Sequence, residues 1–360
     1  MPKNQSQKLG SAIRTGLFCA GLCATTLMSS ISAQAGVHPA NLVLGGAGDP
    51  PAVGLAIDAA SVITNGTVSL GVNPEGNLIV DSARIGLTYN PTGGEALYPG
   101  CNCEGWGAGD DVTKDFGKAG EAFGNANITV ESFTATADSA LSVVIINDDG
   151  DLFRVTHDYF PSSSPNLYQV DVTIENLRAS DTTVHYRRAM DWDVPPTEFD
   201  ELVTLITNGA TKVIFSSDNG FADGNPFVAG GSILFTGEAT DSGPTDHGAL
   251  FDFNFGTASA SGGTVDFTIF YGAAANQAEA LAALGTVGAE VYSLGKANPS
   301  DPSVGVDGSP NTFIFGFAGV GGTVIGTSGP HVPVPSLGTL GLGIMALLLG
   351  FFGIRRMRRT

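Results

Sequence analysis

Between residues 167 and 176 apolar and polar side chains alternate without a break: Tyr168, Val170, Val172 and Ile174 fall on one side, Gln169, Asp171, Thr173 and Glu175 on the other. A period of two marks a strand with one buried face. A one-residue slip would bury carboxylates, so the register is strongly specified. Comparable runs precede it at 128–135, 140–146 and 151–160, and Asn147-Asp148-Asp149-Gly150 links the last two with a hairpin-forming Asp-Gly step. The run 184–194 places Val184, Tyr186, Arg188, Met190 and Trp192 on one face and His185, Arg187, Ala189, Asp191 and Asp193 on the other, and ends at Pro195-Pro196. Shorter strands are predicted at 52–57, 67–72, 78–80, 84–89, 201–208, 211–216, 227–235, 248–255, 263–271 and 313–317. Turn residues at 73–77 predict a hairpin, and the Gly- and Asp-rich stretch 90–120 predicts a long loop.

A helical period is found in Ala278, Ala280, Leu281, Leu284, Val287, Val291 and Leu294, which predicts a helix over 276–295, capped by Asn276 and weakened by Gly285 and Gly288. The expected fold is therefore mainly β, a large antiparallel β sandwich over 36–318 with one soluble helical segment, followed by a Gly-rich linker at 319–332.

The two ends break the pattern. Lys3, Lys8 and Arg14 precede an apolar run at 16–28, and Ala33-Gln34-Ala35 has small residues at both cleavage positions, so residues 1–35 read as a signal peptide cut before Gly36. At the other end, 337–354 contains 18 residues without a charged or amide side chain. As a helix this run covers about 27 Å, the thickness of a bilayer core. Arg355, Arg356, Arg358 and Arg359 follow as a cytoplasmic stop. The expected location is the inner membrane, with the domain facing the periplasm or released after cleavage.

Charge narrows the partners. The chain has 35 acidic and 16 basic residues, net −19, and seven of the basic ones belong to the two ends. So acidic a domain argues against nucleic acid and suits divalent cations. Beyond the signal segment only Cys101 and Cys103 remain; an oxidising compartment favours a local disulfide, the Cys-Asn-Cys spacing strains one, and a pair of ordinary thiols is the other reading.

Candidate chemistry centres on the polar face of 184–194. His185, Arg187, Asp191 and Asp193, with His157 and Asp158 from an earlier strand, could supply acid and base or hold a ligand; His157, His185 and Asp191 are the catalytic candidates. The other reading of this face is an ion-paired sheet surface. No nucleophile elbow, zincin motif or phosphate loop is present. Asp148, Asp149 and Asp151, and separately Asp218, Asn219, Asp223 and Asn225, are turn clusters that could bind calcium. Turn chemistry alone also accounts for them. Trp106, among glycines, is a candidate sugar platform, and Trp192 a candidate core residue.

The tail, with Pro333, Pro335, Ser336 and Leu337 before the apolar run and the arginines, resembles the bacterial PEP-CTERM sorting signals read by exosortases, in its IPTL-like variant. That resemblance implies an exported Gram-negative envelope protein processed by a membrane protease. The Val172-Thr173-Ile174-Glu175-Asn176-Leu177 strand is similar to strands of the galactose-mutarotase-like supersandwich, which implies a sandwich but no sugar-active site. The expected function is a non-catalytic structural or binding role at the envelope. The alternative is a carbohydrate-binding or carbohydrate-active protein using the polar sheet face, with envelope polysaccharide as partner.

Overall fold

The computed structural model describes residues 58–326. The expected signal peptide with Ala33 and Ala35, the strand at 52–57, and the motif, membrane helix and arginines of 333–360 lie outside these residues. No helix among the described residues is long and apolar enough to cross a membrane.

Strands β1 (Ser61–Thr64), β2 (Val68–Val72), β3 (Leu87–Tyr89) and β4 (Gly94–Glu95) make a small sheet in that order. Next come β5 (Glu104–Asp110) and β6 (Phe116–Gly120), then a meander of β7 (Ile128–Ala135), β8 (Ala140–Asn147), β9 (Asp151–Pro161) and β10 (Leu167–Asn176). The remaining elements are β11 (Thr182–Trp192), β12 (Glu201–Ile206), β13 (Val213–Ser217), β14 (Ala239–Thr245), β15 (His247–Ala258), β16 (Thr264–Ala274), α1 (Gln277–Val287), β17 (Val291–Lys296) and β18 (Thr312–Ala318). A nine-stranded sheet runs β14-β12-β17-β18-β16-β10-β9-β8-β7, and a five-stranded sheet runs β13-β15-β11-β5-β6. All strand pairings among the described residues are antiparallel.

The two large sheets share one core. Alternation on β15 turns Phe251, Phe253 and Phe255 inward, and β18 answers with Phe313, Phe315 and Phe317. Ring centroids lie 4.7 Å apart for Phe253–Phe317 and 4.5 Å for Phe255–Phe267. These contacts add directional aromatic packing to the gain from area burial. On β10 the predicted register holds: Val172 faces His157 of β9 and Phe267 of β16, with Tyr168, Val170 and Ile174 buried.

Three expectations of secondary structure fail for physical reasons. The stretch 90–120, expected as a loop, supplies β5 and β6, and β5 is the neighbour of β11. In Glu104-Gly105-Trp106-Gly107-Ala108-Gly109-Asp110 the apolar face is Trp106 and Ala108, both fully buried, while the glycines face a covering segment. A Cβ at Gly107 would stand 2.0 Å from the carbonyl oxygen of Gly224, so backbone lies directly on backbone there. The run 227–235, expected as a strand, belongs to that cover and lies outside any strand. The helix is shorter than expected: Asn276 caps α1 by accepting from the Glu279 amide, Gly288 ends it at φ 70°, and 291–296 forms β17. Residues 319–326, assigned to the start of the linker, are hydrogen-bonded to the body, with Thr211 and Lys212 donating to Gly321 and Val320.

Candidate functional site

Strand β11 separates two polar environments. One face carries Tyr186 and Arg188 into the core between the sheets. Glu104 and Arg188, both fully buried, pair at 2.5 Å, and the second carboxylate oxygen accepts the Leu78 amide at 2.6 Å. The Asn73–Asn77 turn lies over this pair. The Gly76 carbonyl accepts from Tyr159 Oη at 2.8 Å and from Arg188 Nη1 at 3.1 Å. A Cβ at Gly76, whose φ is +77°, would come 2.7 Å from His157 Nδ1. His157 is fully buried, 3.2 Å from Tyr186 Oη and 4.9 Å from the Trp106 ring. Burial, reinforced by the Arg188 charge, pushes its pKa well below the ordinary histidine value, so it is neutral at pH 7. This cluster is sealed inside the fold.

The opposite face of β11 lies under the segment 218–235. Arg187 Nε and Nη2 hold the two oxygens of Asp252 at 2.5 and 2.7 Å, while Nη1 and Nη2 donate to the carbonyls of Asp223 and Val228, each at 2.9 Å. Beside this pair is a cavity of about 450 Å³, lined by Arg187, Asp252, Phe215, Val228, Ser232 and Thr236 among others. That volume is within the range of small-molecule sites. By valence the guanidinium keeps one N–H and each Asp252 oxygen a second lone pair. The ion pair forms part of the cavity floor, and Phe215 supplies an aromatic wall.

Further along the same face are Asp191, Asp193 and Asp246, with carboxylate oxygens lying within 4.8 Å of one another. Glu201, at the start of β12, stands near them. Burial first, then their mutual repulsion, raises Asp191 to about 7 and Asp193 to about 8; burial and the neighbouring aspartates raise Glu201 to about 9.

The structure separates the residues expected to act together. His157 lies in the core, between the sheets. His185 contacts Asn254 at 2.9 Å and lies against Phe227. Arg187 is held by Asp252, and only Asp191 and Asp193 meet. Asp158 pairs across the ladder with Asp171. Trp106, expected as an exposed platform, is fully buried with Nε1 donating to the Glu75 carbonyl, and Trp192 is in the core bonded to Ser293. Asp148 accepts the Phe116 amide of β6, and Asp151 accepts from Asn147 across the turn. Asp218 accepts the amides of Ile233, Leu234 and Phe235, and Asn219, Asp223 and Asn225 likewise brace the covering segment. Cys101 and Cys103 form a disulfide, Cα–Cα 5.1 Å. Sequence patterning missed Asp252, Glu104, Glu201 and Asp246; the even alternation of β15 around Phe251 and Phe253 could have placed Asp252 beside Arg187.

No protein-family model matches this chain, and no curated protein matches it. Solved structures do. A galactose mutarotase related enzyme from Lactobacillus acidophilus is 12% identical, covering 72% of this chain and 86% of its own, with TM-score 0.29. A protein described as an aldose 1-epimerase from Escherichia coli K12 is 10% identical over 74% of this chain and 93% of its own, TM-score 0.27. A galactose mutarotase-like protein from Clostridium acetobutylicum is 10% identical over 70% and 82%, TM-score 0.25. By their descriptions these are carbohydrate-directed proteins, whereas the role expected for this chain was a non-catalytic structural or binding one. At such scores the likeness goes no further than general fold type, and the site rests on this chain's own residues.

Proposed function

We propose that the protein is carbohydrate-directed and takes a saccharide in the cavity over the Arg187–Asp252 pair. The carrying observation is the juxtaposition of the Arg187–Asp252 ion pair with the Phe215 ring in a cavity of about 450 Å³. A sugar hydroxyl donates and accepts at once, which suits a guanidinium–carboxylate edge. The C–H face of a pyranose suits an aromatic wall. Ser232 and Thr236 add hydroxyls at the rim. Full-length protein in detergent is titrated calorimetrically against a panel of mono- and oligosaccharides, with each ligand's anomeric composition followed in parallel to register turnover. Ser232 is exposed, so Ser232→Trp fills the cavity from outside the fold. Saccharide binding that Ser232→Trp abolishes, and that Phe215→Ala weakens roughly 2- to 10-fold, supports the reading. Binding unaffected by Ser232→Trp, or no saccharide bound at all, refutes it.

The segments at 1–35 and 333–360 support export and retention at the inner membrane, with an exosortase-like protease as processing partner and envelope polysaccharide as the ligand source. Mass spectrometry of the mature termini tests this. A chain beginning at Gly36 and truncated near Pro333 is the expected product, and an intact chain ending at Thr360 refutes processing.

A further inference from the structure

We infer that Asp191, Asp193 and Asp246, with Glu201 beside them, bind one divalent cation, and that the cation is calcium. The geometry comes first. Two oxygens bound to one calcium ion at about 2.4 Å can stand no more than about 4.8 Å apart. The carboxylate oxygens of the three aspartates meet that limit. They come from different parts of the fold: Asp191 from the end of β11, Asp193 just past it, and Asp246 from the corner between β14 and β15. One bound ion would tie those segments together.

Burial supplies an independent argument. Asp193 is 0% exposed, yet neither of its carboxylate oxygens meets a protein donor. Oδ1 of Asp191, 2% exposed, and Oε2 of Glu201, 0% exposed, are in the same position, as is Oδ1 of Asp246. Buried carboxylates elsewhere in this chain are answered: Glu104 by Arg188, Asp252 by Arg187, Asp218 by His247 and three amides. Among the described residues no lysine or arginine forms an ion pair with Asp191, Asp193, Glu201 or Asp246. The neighbouring charges, Glu95 and Glu198, are also negative. Among the described residues His247 is the base that acts on the cluster, through Asp246, and its Nδ1 is committed to Asp218. Buried carboxyl oxygens without hydrogen-bond partners are costly, and a bound cation that takes them as ligands removes that cost. An all-oxygen, all-carboxylate donor set selects a hard ion. Magnesium, at 2.0–2.1 Å, demands a tighter octahedron and gives up its water reluctantly, so the spread of these oxygens favours calcium.

The test uses the full chain in detergent micelles, stripped with EDTA, at pH 7.5. Melting is recorded in calcium chloride, magnesium chloride and sodium chloride of equal ionic strength, and terbium luminescence excited through tryptophan reports occupancy, Trp192 being flanked by two of the ligands. The expected result is one calcium per chain. Melting should rise by roughly 5 °C at saturating calcium, by less in magnesium and not at all in sodium. Asp193→Asn should lower calcium affinity at least tenfold. Because it replaces a buried carboxyl that has no hydrogen-bond partner, it should melt no lower than the parent without metal, which separates loss of the site from loss of the fold. Asp149→Asn, at the exposed hairpin turn, should keep the full calcium shift. Equal shifts in sodium and calcium, an undiminished calcium shift in both Asp193→Asn and Asp246→Asn, or loss of the shift in Asp149→Asn would each overturn the assignment.

Discussion

The Glu104–Arg188 pair offers a test in which the two halves of one contact behave differently. Both side chains are 0% exposed, and the contact is 2.5 Å. Removing either partner leaves an uncompensated buried charge, which in comparable cases costs about 3–5 kcal/mol. Folded domains have only about 5–15 kcal/mol in hand, so either change takes a large share. The two charges differ in their escape. With Arg188 replaced, Glu104 can take up a proton, because burial already pushes its pKa upward against the pull of Arg188. With Glu104 replaced, Arg188 has no such exit, since guanidinium does not deprotonate in proteins. Glu104→Gln should therefore destabilise more than Arg188→Met at pH 7, although glutamine keeps an oxygen for the Leu78 amide. The double variant should recover most of the loss, giving a coupling energy of about 2–3 kcal/mol. Urea unfolding of all four proteins, followed by tryptophan fluorescence, measures this. Singles within about 1 kcal/mol of the parent, or losses that simply add in the double variant, would refute the view that a paired charge sits at the centre of this core.

Three further outcomes follow from other parts of the fold. In EDTA, stability should fall as pH rises from about 4 through 7–9, because Asp191, Asp193 and Glu201 have folded values raised to about 7, 8 and 9 and the folded state holds their protons more tightly; urea midpoints across that range should drop by a few kcal/mol equivalent, and a flat profile contradicts the clustering. Gly107→Ala should release the covering segment, since its Cβ would meet the Gly224 carbonyl at 2.0 Å; limited proteolysis should then cut within 218–235, and an unchanged digestion pattern counts against backbone packing there. Asn276→Ala removes the cap of α1 and should cost about 1 kcal/mol in thermal or urea unfolding, where no loss would show that the Glu279 amide is satisfied otherwise.

How much of this could be read in the sequence depended on whether a residue's partner was close along the chain. The alternation of 167–176 and 184–194 fixes faces correctly, because a period of two follows from strand geometry itself. Loop-like composition misled at 104–110, where glycine is required by the backbone packed above β5 and not by a turn. Strand-like composition misled at 227–235, where Val228, Ile233 and Leu234 are exposed. The helical period continued past Gly288 only because Val291 and Leu294 are buried on a strand that happens to match it. The polar candidates on β11 were identified as residues, but their companions Asp252, Asp246 and Glu201 come from strands and corners joined only by folding. Arg188 was assigned to the apolar face, and nothing local announced that Glu104, 84 positions earlier, would receive it.

The cavity beside Arg187 has a floor and walls of different origin. Its floor is sheet, continuous with the aromatic core through β11 and β15; much of its wall is the 218–235 segment, braced by its own Asp and Asn side chains. On the proposed reading, ligand choice and structural integrity are thus encoded in separable stretches of the chain. A substitution at Val228 or Ser232 can reshape what the cavity accepts while the phenylalanine stack beneath it is untouched.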